Sequence, residues 1–309
     1  MIRNLVSIKK CIFIYSFICS IFVTGLAFAI PKFNIQSQDP KLIQEIQNTA
    51  GEAYLRLSAF LEDSLILPLT IYVAEDENDF KSNSGSNVPD WGIGVAVSSR
   101  NLIILKSPNR FKFVRPFSEV LEHELAHIFL YKKSRGADIP RWMDEGFAMM
   151  QSREWRIGLD IIVVRALFTG SFIPLPQIES LNQFDDSKAQ LAYVESYLAF
   201  SYLLDEYGKE SFFDLLNQLS MGNNLESAFL KTTGSSYTGF QLEFLSYLKK
   251  RYNIFALLGD TFLFWLILAF LVIFLYFIKK QRNRKTLKKW EYEDKIGKYG
   301  YYEEDQTQD

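Results

Sequence analysis

The chain has 309 residues, 48% of them hydrophobic, and a formal net charge of −2 at pH 7. Such a balance excludes a disordered polyelectrolyte and offers no basic face to a nucleic acid. The apolar residues are concentrated in two blocks, and the stretch between them, together with the second block (residues 30–278), carries a net charge of −7, so no nucleic-acid partner is expected.

The first block is MIRNLVSIKKCIFIYSFICSIFVTGLAFAIPKF. Arg3, Lys9 and Lys10 precede an apolar run from Cys11 to about Ile30, and Ala27 and Ala29 form a small-x-small cleavage pattern. Residues 1–29 therefore read as a secretory signal cut after Ala29, or as an N-terminal anchor, since the run is long enough to span. The only cysteines, Cys11 and Cys19, fall here, so the exported part is expected to fold without a disulfide.

Residues 39–63 carry apolar side chains at helical spacing and read as one or two helical segments beginning near Asp39–Pro40. Residues 66–76 alternate and are rich in β-branched types, which predicts a strand. The polar stretch 76–91, full of Ser, Asn and Gly, reads as a loop ending at Trp91. Residues 92–108 read as two short strands around a Ser-Ser-Arg-Asn turn, with Gly92 and Gly94 shaping a cleft or marking a turn. From about Pro116 the pattern turns helical, with candidates at 116–134, 140–155, 158–168, 188–207, 209–219, 224–231 and 237–251. Gly208 and Gly234 sit where helices should stop, and 169–184 is a long connection with two prolines. Strands first and helices after is the α+β pattern, with a small N-terminal mixed sheet and a mostly helical C-terminal part.

The second block predicts a transmembrane helix over 259–278, its centre the 18 uncharged residues 261–278. KKQRNRKTLKK follows directly, and such a cluster stays cytoplasmic. Residues 30–253 are then an extracytoplasmic domain attached to the bilayer, and 279–309 a cytoplasmic tail.

Both histidines of the chain lie in EVLEHELAHIFLYKK, as His123 and His127. Four residues apart on a helix, they differ by only about 40° around the axis. Two imidazoles so placed can share one zinc ion. Glu124 lies about 100° round from His123, beside such an ion, where a general base for water would stand. The flanking Val120, Leu121, Leu125, Ile128 and Phe129 predict a core helix, in which unpaired histidines are disfavoured. Catalytic zinc takes three protein ligands, and the exported part has no other histidine and no cysteine, so the third must be Asp or Glu. Glu145, in IPRWMDEGFAMMQSREW, can be presented by a second helix after the chain reverses. Asp144 is the competitor, pointing about 100° away with a shorter reach. Arg141 and Trp142 are neighbours of the site, Trp142 as a packing residue.

His123-Glu124-x-x-His127 followed by Trp142-Met143-Asp144-Glu145-Gly146-Phe147-Ala148 resembles the gluzincin metallopeptidases of the peptidase MA-like branch, relatives of thermolysin and the zinc aminopeptidases. The likeness extends over about 60–250. It implies a thermolysin-like zincin domain with Zn2+ on His123, His127 and Glu145, and Glu124 as catalytic base. It also implies a Tyr or His that stabilises the oxyanion. With no histidine to spare, Tyr193 or Tyr197 is the candidate, Tyr193 slightly ahead, against plain core packing for either. Two departures stand out. Met149 occupies the place where thermolysin has an aspartate bracing a zinc histidine, so the brace must come from elsewhere. No Gly-x-Met-Glu-Asn stretch is present to grip a free amine, which favours an endopeptidase acting on peptide or protein substrates over an exopeptidase. The strand 101–106 is expected at the sheet edge, where an extended peptide could pair with it. The alternative function is a catalytically silent zincin-fold membrane protein serving as a binding or assembly module. The intact Glu124 speaks against it, because holding a metal needs no base.

Overall fold

The computed structural model describes residues 30–64, 68–85, 92–113, 115–155, 158–252 and 254–303, the side chains of 254–263 and 297–303 excepted. The signal or anchor at 1–29, with Cys11 and Cys19, and Trp91 lie outside the described residues. The chain divides into two compact units, one holding 30–155 and 173–238, the other 158–172 and 239–303.

In the first unit, β1 (Asn34–Gln36) leads into α1 (Pro40–Leu61), a single helix rather than two segments. The Asp39 side chain accepts from the Lys41 N–H and Pro40 stands at the first helical position, both start signals. Next come β2 (Thr70–Ala74), α2 (Glu77–Ser84), β3 (Gly94–Val97) and β4 (Leu102–Lys106). Helix α2 corrects the expected loop. Asp76 caps it through the Asp79 N–H at 2.9 Å, and Glu77 and Asp79 fill its first turn. Phe80 is the one buried residue of α2, and it packs with Ala74 and Ile104 under the sheet. A polar, Ser- and Asn-rich segment thus becomes helical through a cap and one apolar anchor.

The sheet order is β1-β2-β4-β3. β1, β2 and β4 run parallel, and β3 is antiparallel to β4, so the sheet is mixed as expected. The expected edge position of 101–106 is wrong. β4 lies between β2 and β3 and is buried at four of its five residues, which is why it reads as a near-continuous apolar run. The short 3-10 turn Ser98–Arg100, closed by Asn101 in the left-handed region at φ 50°, folds β3 back along its outer side. The edge strand on this side of the sheet is therefore β3, half-buried along its whole length.

α3 (Phe117–Lys133) packs on α1 and beneath β3, and α4 (Arg141–Gln151) lies against α3. Helix α6 (Asp186–Ser220) packs on the other side of α4 and is interrupted at Gly208, whose φ of 81° takes the chain out of helical geometry where a stop was expected. Between α4 and α6 the first unit also holds a 3-10 stretch, Leu175–Gln183. α7 (Leu225–Thr233) closes on Gly234, at φ 77°. Gly146 allows the α4–α6 approach. A Cβ there would lie 2.6 Å from Phe200 Cβ and run into the Ser196 carbonyl oxygen.

The second unit holds α5 (Leu159–Thr169), most of α8 (Tyr237–Arg251) and α9 (Ile254–Glu303). α9 contains Phe264–Ile296, which among the described residues is the helix long and apolar enough to cross a membrane.

Candidate metal centre

Helix α3 presents His123 and His127 on one side, ring centroids 4.8 Å apart. Helix α4 brings Glu145 to them: its Oε2 lies 3.2 Å from His123 Nε2 and 3.7 Å from His127 Nε2. One ligand atom from each of the three residues falls within 4.8 Å of the others. Four-coordinate zinc with bonds of about 2.0–2.1 Å sets neighbouring ligand atoms about 3.3–3.4 Å apart, so this donor set suits such an ion.

The outer ring nitrogens are engaged as well. His123 Nδ1 donates to Glu154 Oε1 at 2.7 Å, and His127 Nδ1 donates to Asp144 Oδ1 at 2.7 Å. With each Nδ1 proton held by a carboxylate, Nε2 is the nitrogen each ring turns towards Glu145, and it would offer its lone pair to a metal once the ion displaces the Nε2 proton. Asp144, the competing ligand of the sequence reading, is thus a partner of His127. Glu154 supplies the brace that Met149 cannot, and sequence reasoning missed it. It follows the last turn of α4, where Arg153 at φ 60° turns the chain back beneath His123. Its other contacts are Arg115 Nη1 at 2.5 Å and Ser152 Oγ at 2.7 Å. The only available signal was an acidic residue just past the end of the Glu145 helix.

Electrostatics follow from this packing. Burial would raise the Glu154 carboxyl, but His123 and Arg115 beside it, with the Ser152 hydrogen bond, hold it down at about 2. Burial would depress His123, but Glu154 and Glu145 reverse this and raise it to about 10. Glu145 stays below the usual carboxylate range despite its burial, because Arg141 and both histidines face it. Glu124 moves the other way. Burial dominates and raises it, against the pull of His123 and His127.

An open cavity of about 320 Å³ lies over these groups, lined by His123, Glu124, His127, Glu145 and Tyr193, with β3 along one side. Gly94 lets β3 come this close, since a Cβ there would sit 3.0 Å from Glu124 Cγ. The Tyr193 ring meets His123 edge-on at 6.4 Å, and burial, then the Glu145 charge, raises its hydroxyl well above its ordinary value. Tyr197 instead stacks on Trp155 at 4.7 Å and does not line the cavity. Trp142 is fully buried and donates from Nε1 to Tyr237 Oη at 3.0 Å, a packing role as expected.

A mixed sheet laid on helices that turn two imidazoles and a carboxylate towards an open cleft defines a candidate metal centre of the hydrolytic kind. The chain belongs to the Peptidase MA superfamily, whose family model matches residues 49–250. It is also similar to an uncharacterized protein of Bacillus subtilis (strain 168), YhcO, with 21% identity over 136 residues. That alignment covers 41% of this chain and 40% of YhcO, so the chain spans well under half the length of that relative.

Proposed function

We propose that the chain is a membrane-anchored zinc metallopeptidase with a thermolysin-like zincin domain, cleaving internal peptide bonds outside the cytoplasm. The observation that carries this reading is the convergence of two Nδ1-braced imidazoles on a single oxygen of Glu145. His123, His127 and Glu145 would hold the ion. Zinc in such a site acidifies a water and polarises a carbonyl. Glu124, raised in pKa and facing the cavity, takes the proton of the attacking water and passes it to the leaving nitrogen. The Tyr193 hydroxyl, kept protonated by its surroundings, donates to the developing oxyanion. The free main chain of β3 offers an extended peptide a strand to pair with. Helix α9 anchors the chain in the bilayer, and the Lys and Arg residues of 279–289 keep its far end in the cytoplasm.

The test uses the full chain purified in detergent. Wild type and Glu124→Gln should each hold about one zinc per chain, while peptide cleavage falls by about three orders of magnitude or more only in the variant. A wild type that binds no zinc, or equal cleavage by both proteins, sinks the reading.

A further inference from the structure

The cleft holds one more charged side chain, and the mechanism above leaves it without a task. Arg141 opens α4, one turn before Glu145. Its backbone N–H donates to Glu179 Oε1 at 2.8 Å. Its Nη2 donates to Glu145 Oε1 at 2.7 Å and to Asn182 Oδ1 at 3.4 Å. These bonds fix the guanidinium at the cavity wall with the side chain 35% exposed. Apart from the imidazoles, Arg141 is the one basic side chain among the described residues lining the cavity. Both of these side-chain bonds use Nη2 and neither engages Nη1, while Nε is buried with no hydrogen-bond partner among the described residues.

Charge counting shows what this corner lacks. Glu145 carries one negative charge and already faces two imidazoles through Oε2. In the metallopeptidase reading the same carboxylate also serves a dication, so it cannot neutralise Arg141 as well. Asp144, the other cavity carboxylate whose charge acts on Arg141, is committed to His127. A guanidinium held still and incompletely neutralised is pre-organised for a planar anion, because little rotamer freedom remains to be lost on binding. A peptide seated over the imidazoles carries its next residue about 3.5 Å further along, which brings that residue to the Glu145–Arg141 pair.

We propose that Arg141 is a specificity-determining residue that recognises a carboxylate on the substrate, one residue from the bond that is cut. This rests on the peptidase reading. The carboxylate is an Asp or Glu side chain if internal bonds are cut, or the C-terminus of the peptide if the zinc site instead removes the last residue, and Nη1 is the donor that meets it.

The experiment compares matched peptides on the zinc-loaded full chain in detergent. One pair differs by Glu against Gln beside the cleaved bond, the other by a free against an amidated C-terminus. In wild type, kcat/KM should be roughly 10- to 100-fold higher for the carboxylate member of one pair. The pair that responds names the source. Arg141→Gln should bring that ratio to about one, and Arg141→Lys should restore part of it. General damage to Glu145 lowers both members together and leaves the ratio alone. A wild type that treats both pairs alike, or a ratio that survives in Arg141→Gln, overturns the proposal. If no peptide is cleaved, the peptidase reading fails separately. Calorimetric binding of the same pairs to the full chain then decides, and equal affinity for acid and amide overturns the role of Arg141.

Discussion

The two imidazoles are held by unlike surroundings. Beneath His123 lies a closed floor: Glu154, itself held by Arg115 and Ser152, with only 5% of its side chain exposed. Beside His127 lies an open rim: Asp144 makes the same 2.7 Å bond, but its side chain is 28% exposed. The bond to the ring is alike in both places, and what differs is the medium. On the floor, removing the carboxylate strands the His123 imidazole, 6% exposed, away from water and takes a partner from Arg115. At the rim, water can take its place.

The largest effect should therefore follow Glu154→Ala. Leaving the buried His123 without its partner is expected to cost about 3 kcal/mol, a drop in Tm of roughly 10 °C, readable by thermal unfolding of the metal-free chain. The same variant should lose roughly 100-fold in zinc affinity against a competing chelator. Asp144→Asn should lose about tenfold in zinc affinity, with Tm nearly unchanged. Equal losses in the two variants would erase the distinction between floor and rim.

A third buried carboxyl sharpens the point. Glu195 is buried, like Glu154, but its partner is the Ile173 N–H, 3.1 Å from both carboxyl oxygens, rather than a cation. Burial pushes it up to about 8. Its folded value lies above the ordinary 4.5, so folding favours the protonated acid. The stabilisation is complete below about 4.5 and is lost as pH rises towards 8. Wild-type Tm, measured relative to Glu195→Gln, should fall by a few degrees across that window. A parallel course of the two proteins would mean that Glu195 is ionised in the fold.

The sequence exposed the site's helices far better than its sheet. His123, Glu124 and His127 are legible because helical spacing alone sets their directions, and Glu145 because few other ligands exist. Helix breaks at Gly208 and Gly234 were readable from residue type. Strand order was not, because LIILK is apolar enough for an edge over a cleft and for a central strand alike, and only the turn at 98–100 decides between them. β1 was missed because three residues show no period, and α2 because its one anchor, Phe80, sits among polar neighbours. Glu154 was hidden for another reason. Its position depends on the backward turn at Arg153, and no spacing rule reports such a turn.

Gly146 sets the depth of the third ligand. It touches α6 through that helix's main chain, at the Ser196 carbonyl, so a larger side chain meets an obstacle that no replacement at position 196 can trim. Withdrawing α4 to make room would carry Glu145, its immediate neighbour, off the imidazoles. Random mutagenesis that starts from Gly146→Ala should thus find few compensating changes, and those it finds should shift the α6 backbone instead of resizing a side chain.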